Sequence, residues 1–188
     1  MKENIRLGVI LLIITAIAGL LLGAAHSVTL EPIAKQEQMT KATAMKEILP
    51  KADEFKVIET AVEGIIKEVN EGLASGKTSG YAIKVAPKGY GGAVELMVGI
   101  STEGKVEGIK ILSHSETPGL GANAPQPKFS GQFKGKPIAK ELTVVKKAPS
   151  ADNEIEAITG ATITSKAVTN GVNEAVQFYN SKLKGDAK

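Results

Sequence analysis

Between Leu7 and Ala25 the chain runs LGVILLIITAIAGLLLGAA without a charged residue. As a helix rising about 1.5 Å per residue, this segment would be about 28 Å long, close to the hydrocarbon thickness of a bilayer. A cleaved signal peptide is the competing reading. Its apolar region is normally about 7 to 15 residues and ends in an A-x-A-like site, which Gly23-Ala24-Ala25-His26 matches poorly. A retained single-pass transmembrane helix is therefore expected. Lys2 and Arg6 precede it and Lys35 and Lys41 follow it, a modest positive-inside bias that puts residues 1–6 in the cytoplasm and the rest of the chain outside. Gly19 and Gly23 form a G-x-x-x-G pattern suited to close approach of another helix.

The chain has 188 residues, enough for one sizeable core once the apolar segment is set aside. Lysine and arginine number 23 against 20 acidic residues, so the net charge of +3 is small, and it is spread along the chain. No nucleic-acid partner is expected from such a distribution. There is no cysteine, which excludes disulfides, thiolate catalysis, iron–sulfur ligation and the usual structural zinc sites. The two histidines, His26 and His114, form no chelating pair, and no metal site is expected. A redox role would then require an organic cofactor or a metal site without thiolates.

Residues 26–53 read as a stalk, helical from Pro32 to Leu49, with Pro50 limiting its extension. Residues 54–188 read as one domain. Phe55 to Asn70 fits a strand followed by an ambiguous stretch, and Gly72 to Gly80 a glycine- and serine-rich turn. Three runs then follow, Tyr81–Ala86, Ala93–Ile100 and Lys105–Leu112, separated by short glycine-containing connections. They predict an antiparallel meander, with a bulge at Gly108. Beyond His114 periodicity is lost for about twenty-five residues, as in functional or disordered loops, before a short strand at Leu142–Val145. Val168, Val172, Ala175, Val176 and Tyr179 recur at helical steps within Ile163–Leu183. The expected class is α+β: an N-terminal spanning helix, then an antiparallel sheet with a C-terminal helix.

Two motifs can carry chemistry. Thr159-Gly160-Ala161-Thr162 lies immediately before the C-terminal helix. Small residues there let backbone approach a phosphate, and first-turn N–H groups and the helix dipole attract anions. The plain alternative is that Thr162 or Thr164 caps the helix. His114-Ser-Glu-Thr-Pro-Gly-Leu-Gly121 stands at the end of a predicted strand. Pro118, Gly119 and Gly121 allow a tight loop around a flat polar ring, with Leu120 packed on it, and an ordinary surface turn is the alternative.

The spanning segment, Gly89-Tyr90-Gly91-Gly92, HSETPGLG, and TGAT followed by Ile163-Thr164-Ser165 together resemble the FMN-binding domain family. The resemblance covers essentially the whole chain. It is strongest to the G-subunit branch found in Rnf-type ion-translocating ferredoxin:NAD oxidoreductases, with the C subunit of sodium-translocating NADH:quinone reductases as a near, usually longer relative. It implies FMN bound covalently, as a phosphodiester on the last threonine of the motif, here Thr162, and installed by a separate flavin transferase. Thr159, Gly160, Ala161, Ile163 and Thr164 would surround the attachment. Glu116, Thr117, Gly119 and Leu120 would lie near the flavin, and replacing Glu116 is expected to alter the midpoint potential more than attachment. Lys166 would either offset flavin or phosphate charge or be a solvated lysine. The chain would be an electron carrier inside a translocating oxidoreductase, with no catalytic residue of its own, and would work with other membrane and peripheral subunits. It has no dinucleotide-binding G-x-G-x-x-G after a strand, so no direct NAD binding is expected. The alternatives are a tethered assembly or binding module without cofactor, or the flavin subunit of the related quinone reductase.

Overall fold

The computed structural model describes residues 2–184. Residue 1 and residues 185–188, the outer ends of the segments expected at 1–6 and 54–188, lie outside them. The chain forms two compact units, one up to Lys41 and one from Ala42 onward.

Helix α1 (Lys2–Ile48), whose residues up to Lys41 make the first unit and whose last turns belong to the second, is long and apolar enough to cross a membrane. The expected spanning segment and the stalk as far as Ile48 are one uninterrupted helix that includes Pro32. Proline lacks the N–H that would pair with the carbonyl of Val28. Hydroxyls along the apolar part bond back to their own helix, Thr15 to the Leu11 carbonyl at 2.9 Å and Ser27 to that of Gly23 at 3.0 Å, so they add no unpaired polar group to an apolar surface.

The second unit is built on a five-stranded sheet in the order β1-β2-β3-β4-β5: Glu54–Val57, Ile66–Ala74, Lys77–Val85, Glu95–Ser101 and Val106–Ser113. Every neighbouring pair is antiparallel. Period-2 alternation sends Tyr81, Ile83 and Val85 of β3 to one face and Ala82 to the other. The first face packs against α3 (Thr162–Phe178), through Val168, Val172 and Ala175. The second face packs against Ala44, Met45, Ile48 and Leu49, one stripe at three- and four-residue spacing. Since both faces are covered, β4 is buried almost throughout. The expected bulge is present: Gly99 pairs with Gly108 and Ile100 with Val106, leaving Glu107 extra.

The segment expected as a turn from Gly72 to Gly80 is corrected. Gly72 and Gly80 are paired strand residues, and the turn is Ser75-Gly76, with φ of 50° and 78°, positive at both positions as a type I′ hairpin turn requires. The strand glycines have a different cause. A Cβ on Gly72 would lie 3.3 Å from Leu49 Cδ1, one on Gly80 2.9 Å from Leu49 Cδ2, and one on Gly99 2.9 Å from the Ile48 carbonyl oxygen. The end of α1 rests directly on the sheet backbone.

Between β5 and α3 the chain forms α2 (Pro127–Ser130) and two short strands, β6 (Thr143–Val145) and β7 (Glu154–Glu156), which pair in parallel. The Asn173 side chain of α3 holds both the N–H and the carbonyl of Leu142, each at 2.9 Å.

Candidate functional site

Three loops converge on the first turn of α3. After β5 ends at Ser113, the N–H of Glu116 donates to His114 Nδ1 at 3.3 Å. The Glu116 side chain is turned inward and is only 6% exposed. Its Oε1 accepts the N–H of Gly91 at 2.9 Å, and its Oε2 accepts the hydroxyl of Thr164. Both oxygens are thus engaged, as a buried carboxylate requires.

Glycines make room for this group. A Cβ on Gly121 would lie 2.5 Å from Thr164 Oγ1 and 2.6 Å from Glu116 Oε2, one on Gly89 would collide with Glu116 Oε1, and one on Gly91 would collide with the Ser115 carbonyl oxygen. Glu116 therefore ties the glycine loop 89–92 and the loop 114–121 to α3.

The Thr159-Gly160 turn is fastened separately. The N–H of Ala161 donates to the Ile158 carbonyl at 2.9 Å, across Gly160 with φ of 76°. The N–H of Ile158 donates to Ser165 Oγ at 2.9 Å, and the Ser165 hydroxyl donates to the Ala161 carbonyl at 2.9 Å. Gly160 lies against Leu120, whose Cδ2 would be 2.9 Å from a Cβ there. The two motifs that stood apart in sequence are in contact.

Thr162 is the first residue of α3 and is half-buried; the buried Ala161 occupies the N-cap and provides no side-chain cap. Thr164 sits two residues further on and is 1% exposed, its hydroxyl committed to Glu116. Neither threonine is the N-cap, which removes the plain alternative for the motif. Thr159 is exposed, and Ile163 and Leu120 are 56% and 41% exposed. Thr117 and Gly119 shape the loop through their carbonyls. That of Thr117 accepts the Leu120 and Ala122 N–H groups at 3.1 and 3.2 Å, and that of Gly119 accepts from Asn123 Nδ2 at 3.0 Å. Lys166 is exposed.

Beside Leu120 and Thr159 opens a cleft of about 490 Å³, with Phe129 and Ile158 among its apolar walls and Asn123, Gln126 and Gln132 among its polar ones. Its volume falls in the range of small-molecule sites. Exposed apolar side chains, a left-handed glycine and a helix start without a side-chain cap fit a flat cofactor ending in a phosphate ester, which the first-turn amides would receive. Gly91, Gly121 and Ser165 belong to motifs visible in the sequence, but their specific contacts, Gly91 and Gly121 with Glu116 and Ser165 with Ile158 and Ala161, were not anticipated.

The fold is that of an FMN-binding domain, and the model of the FMN-binding domain family matches residues 89–177. The chain belongs to the G-subunit family of Rnf-type ion-translocating oxidoreductase complexes. It is 40% identical to the G subunit of the Na(+)-translocating ferredoxin:NAD(+) oxidoreductase complex of Acetobacterium woodii, over 97% of this chain and 95% of the relative. It is 44% identical to the G subunit of the proton-translocating ferredoxin:NAD(+) oxidoreductase complex of Clostridium ljungdahlii, over 86% and 83%. Among solved structures, the C subunit of the Na(+)-translocating NADH-quinone reductase of Parabacteroides distasonis shares the fold, with TM-score 0.62 and 22% identity over 80% of this chain and 95% of that one.

Proposed function

We propose that this chain is the membrane-anchored electron-carrier subunit of an ion-translocating ferredoxin:NAD oxidoreductase of the Rnf type, carrying FMN as a phosphodiester on Thr162. The observation that carries this reading is the position of Thr162. It opens α3 behind a residue that provides no side-chain cap, two residues after Gly160, which touches Leu120. Family membership supports FMN and a multi-subunit redox complex.

Attachment of a phosphate to an alcohol in water requires an activated phosphoryl donor, and a flavin dinucleotide presented by a flavin transferase is one. The Thr162 hydroxyl oxygen forms the new bond to phosphorus. The phosphoanhydride bond would break, with its electron pair leaving on the adenylate half of the dinucleotide, and the hydroxyl proton would pass to a base on the transferase. FMN then supplies reversible one-electron chemistry, and the protein supplies position. Thr117, Gly119 and Leu120 would border the ring, while Thr159, Gly160, Ala161, Ile163 and Thr164 would shape the tether, with Lys166 one turn along.

Residues 7–25 form the membrane anchor, residues 1–6 the cytoplasmic end, residues 26–53 the stalk and residues 54–188 the flavin domain on the extracytoplasmic side. The anchor has no ionisable residue between Leu7 and Ala25, so ion translocation belongs to other subunits, as do the ferredoxin and NAD sites.

Intact mass and visible absorbance test the reading in cells with a working transferase. The wild type is expected to be yellow and heavier by one FMN less water, and Thr162→Ala to lose both signals. A colourless, unmodified wild type overturns the reading in favour of a tethered assembly module.

A further inference from the structure

Four hydroxyls lie within seven residues at the start of α3, those of Thr159, Thr162, Thr164 and Ser165. Attachment at one of them requires something that discriminates among them. Burial removes two, since Thr164 and Ser165 are 1% and 0% exposed. Ser165 is held by its own turn. Thr164 is held only from across the fold, by Glu116.

Glu116 faces no cation among the described residues. Its oxygens are taken by the Gly91 N–H and the Thr164 hydroxyl, and Gly89 and Gly121 close in where any side chain would strike it. Each oxygen of this buried carboxylate is thus already tied to the protein's own groups.

We propose that Glu116 is a positioning residue for flavin attachment: by accepting the Thr164 hydroxyl and the Gly91 N–H it fixes the first turn of α3 and withholds the Thr164 hydroxyl, so that within that turn Thr162 is the one presented for modification. The inference rests on the function proposed above. It replaces the expectation that Glu116 acts mainly on the midpoint potential. The tie does not require charge. An amide at this position keeps one oxygen to accept the Gly91 N–H and reverses the second bond, donating an N–H to the Thr164 oxygen.

The test uses the full-length chain co-produced with a flavin transferase, as the wild type, Thr164→Val, Thr164→Ser, Glu116→Gln and Glu116→Ala. Initial attachment is followed by intact mass and its site by peptide mapping. Hydrogen exchange of Gly91 and of the first turn of α3 is read on unmodified protein. Misplacement of a reacting group by about 1 Å can lower rates by about a hundredfold. Thr164→Val and Glu116→Ala are expected to lose at least about tenfold in attachment rate, in step with faster exchange confined to those segments. Thr164→Ser and Glu116→Gln are expected to stay near wild type with Thr162 still the site. Thr164→Val keeps the side chain's shape but unpairs a buried carboxylate oxygen, so thermal unfolding of each unmodified variant separates lost attachment from lost folding. Attachment to the valine variant at the wild-type rate, or loss in Glu116→Gln equal to that in Glu116→Ala, overturns the inference and leaves the proposed function standing. An unmodified wild type overturns both.

Discussion

Glu116 and Thr164, 48 positions apart, are joined by a hydrogen bond from the threonine hydroxyl to a carboxylate only 6% exposed. That bond closes the loop after β5 onto the start of α3, and Gly121 lies against both partners.

Gly121→Ala is expected to destabilise the domain by about 1–3 kcal/mol, the usual range for overpacking a filled interior. The added Cβ would stand 2.5 Å from Thr164 Oγ1 and 2.6 Å from Glu116 Oε2, two atoms hydrogen-bonded to each other. Thermal unfolding of the detergent-solubilised chain measures this. A melting temperature equal to that of the wild type would show that the three groups are less tightly packed than the geometry states.

Thr162→Ala is expected to leave the stability of the unmodified chain within about 0.5 kcal/mol of wild type, as for substitutions that break no buried bond. The residue is half-buried, and the N-cap position belongs to Ala161. Chemical unfolding of protein made without a transferase checks this. A large loss would mean that Thr162 is a structural hydroxyl.

Ser165→Ala should cost about 1 kcal/mol, because the N–H of Ile158 would lose its partner in a partly buried setting. The cost should be accompanied by faster hydrogen exchange at Ile158 and Ala161. Unchanged exchange there would contradict the double role given to the Ser165 hydroxyl.

Ile14→Arg places a charge in the middle of the apolar part of α1, where insertion is disfavoured by about 2.5–3.5 kcal/mol. Less of the chain is expected in the carbonate-resistant membrane fraction than for the wild type. Equal retention would place the membrane attachment elsewhere in the chain.

Local signals carried much of this architecture. An uncharged apolar run, period-2 strands and the helical repeat through Val168, Val172 and Tyr179 each lie within a few turns of chain, and each is present as expected. Features that depend on distant neighbours were not legible. Gly72 and Gly80 have turn chemistry by type, yet they are strand residues whose missing side chains admit Leu49. Pro32 suggested a helix start and lies inside one. The β6–β7 pair is parallel although the main sheet is antiparallel. At the site the motifs themselves were visible. Their meeting was not, because the Glu116–Thr164 bond and the Gly160–Leu120 contact exist only once the sheet and α3 have packed.

The most direct measurement of the central claim is fragmentation mass spectrometry of the peptide spanning residues 157–166 from protein matured with a flavin transferase. The expected result is a single FMN phosphodiester localised to Thr162, with Thr159, Thr164 and Ser165 unmodified. The same peptide recovered without flavin from a yellow protein, or flavin localised to Thr164, would contradict it.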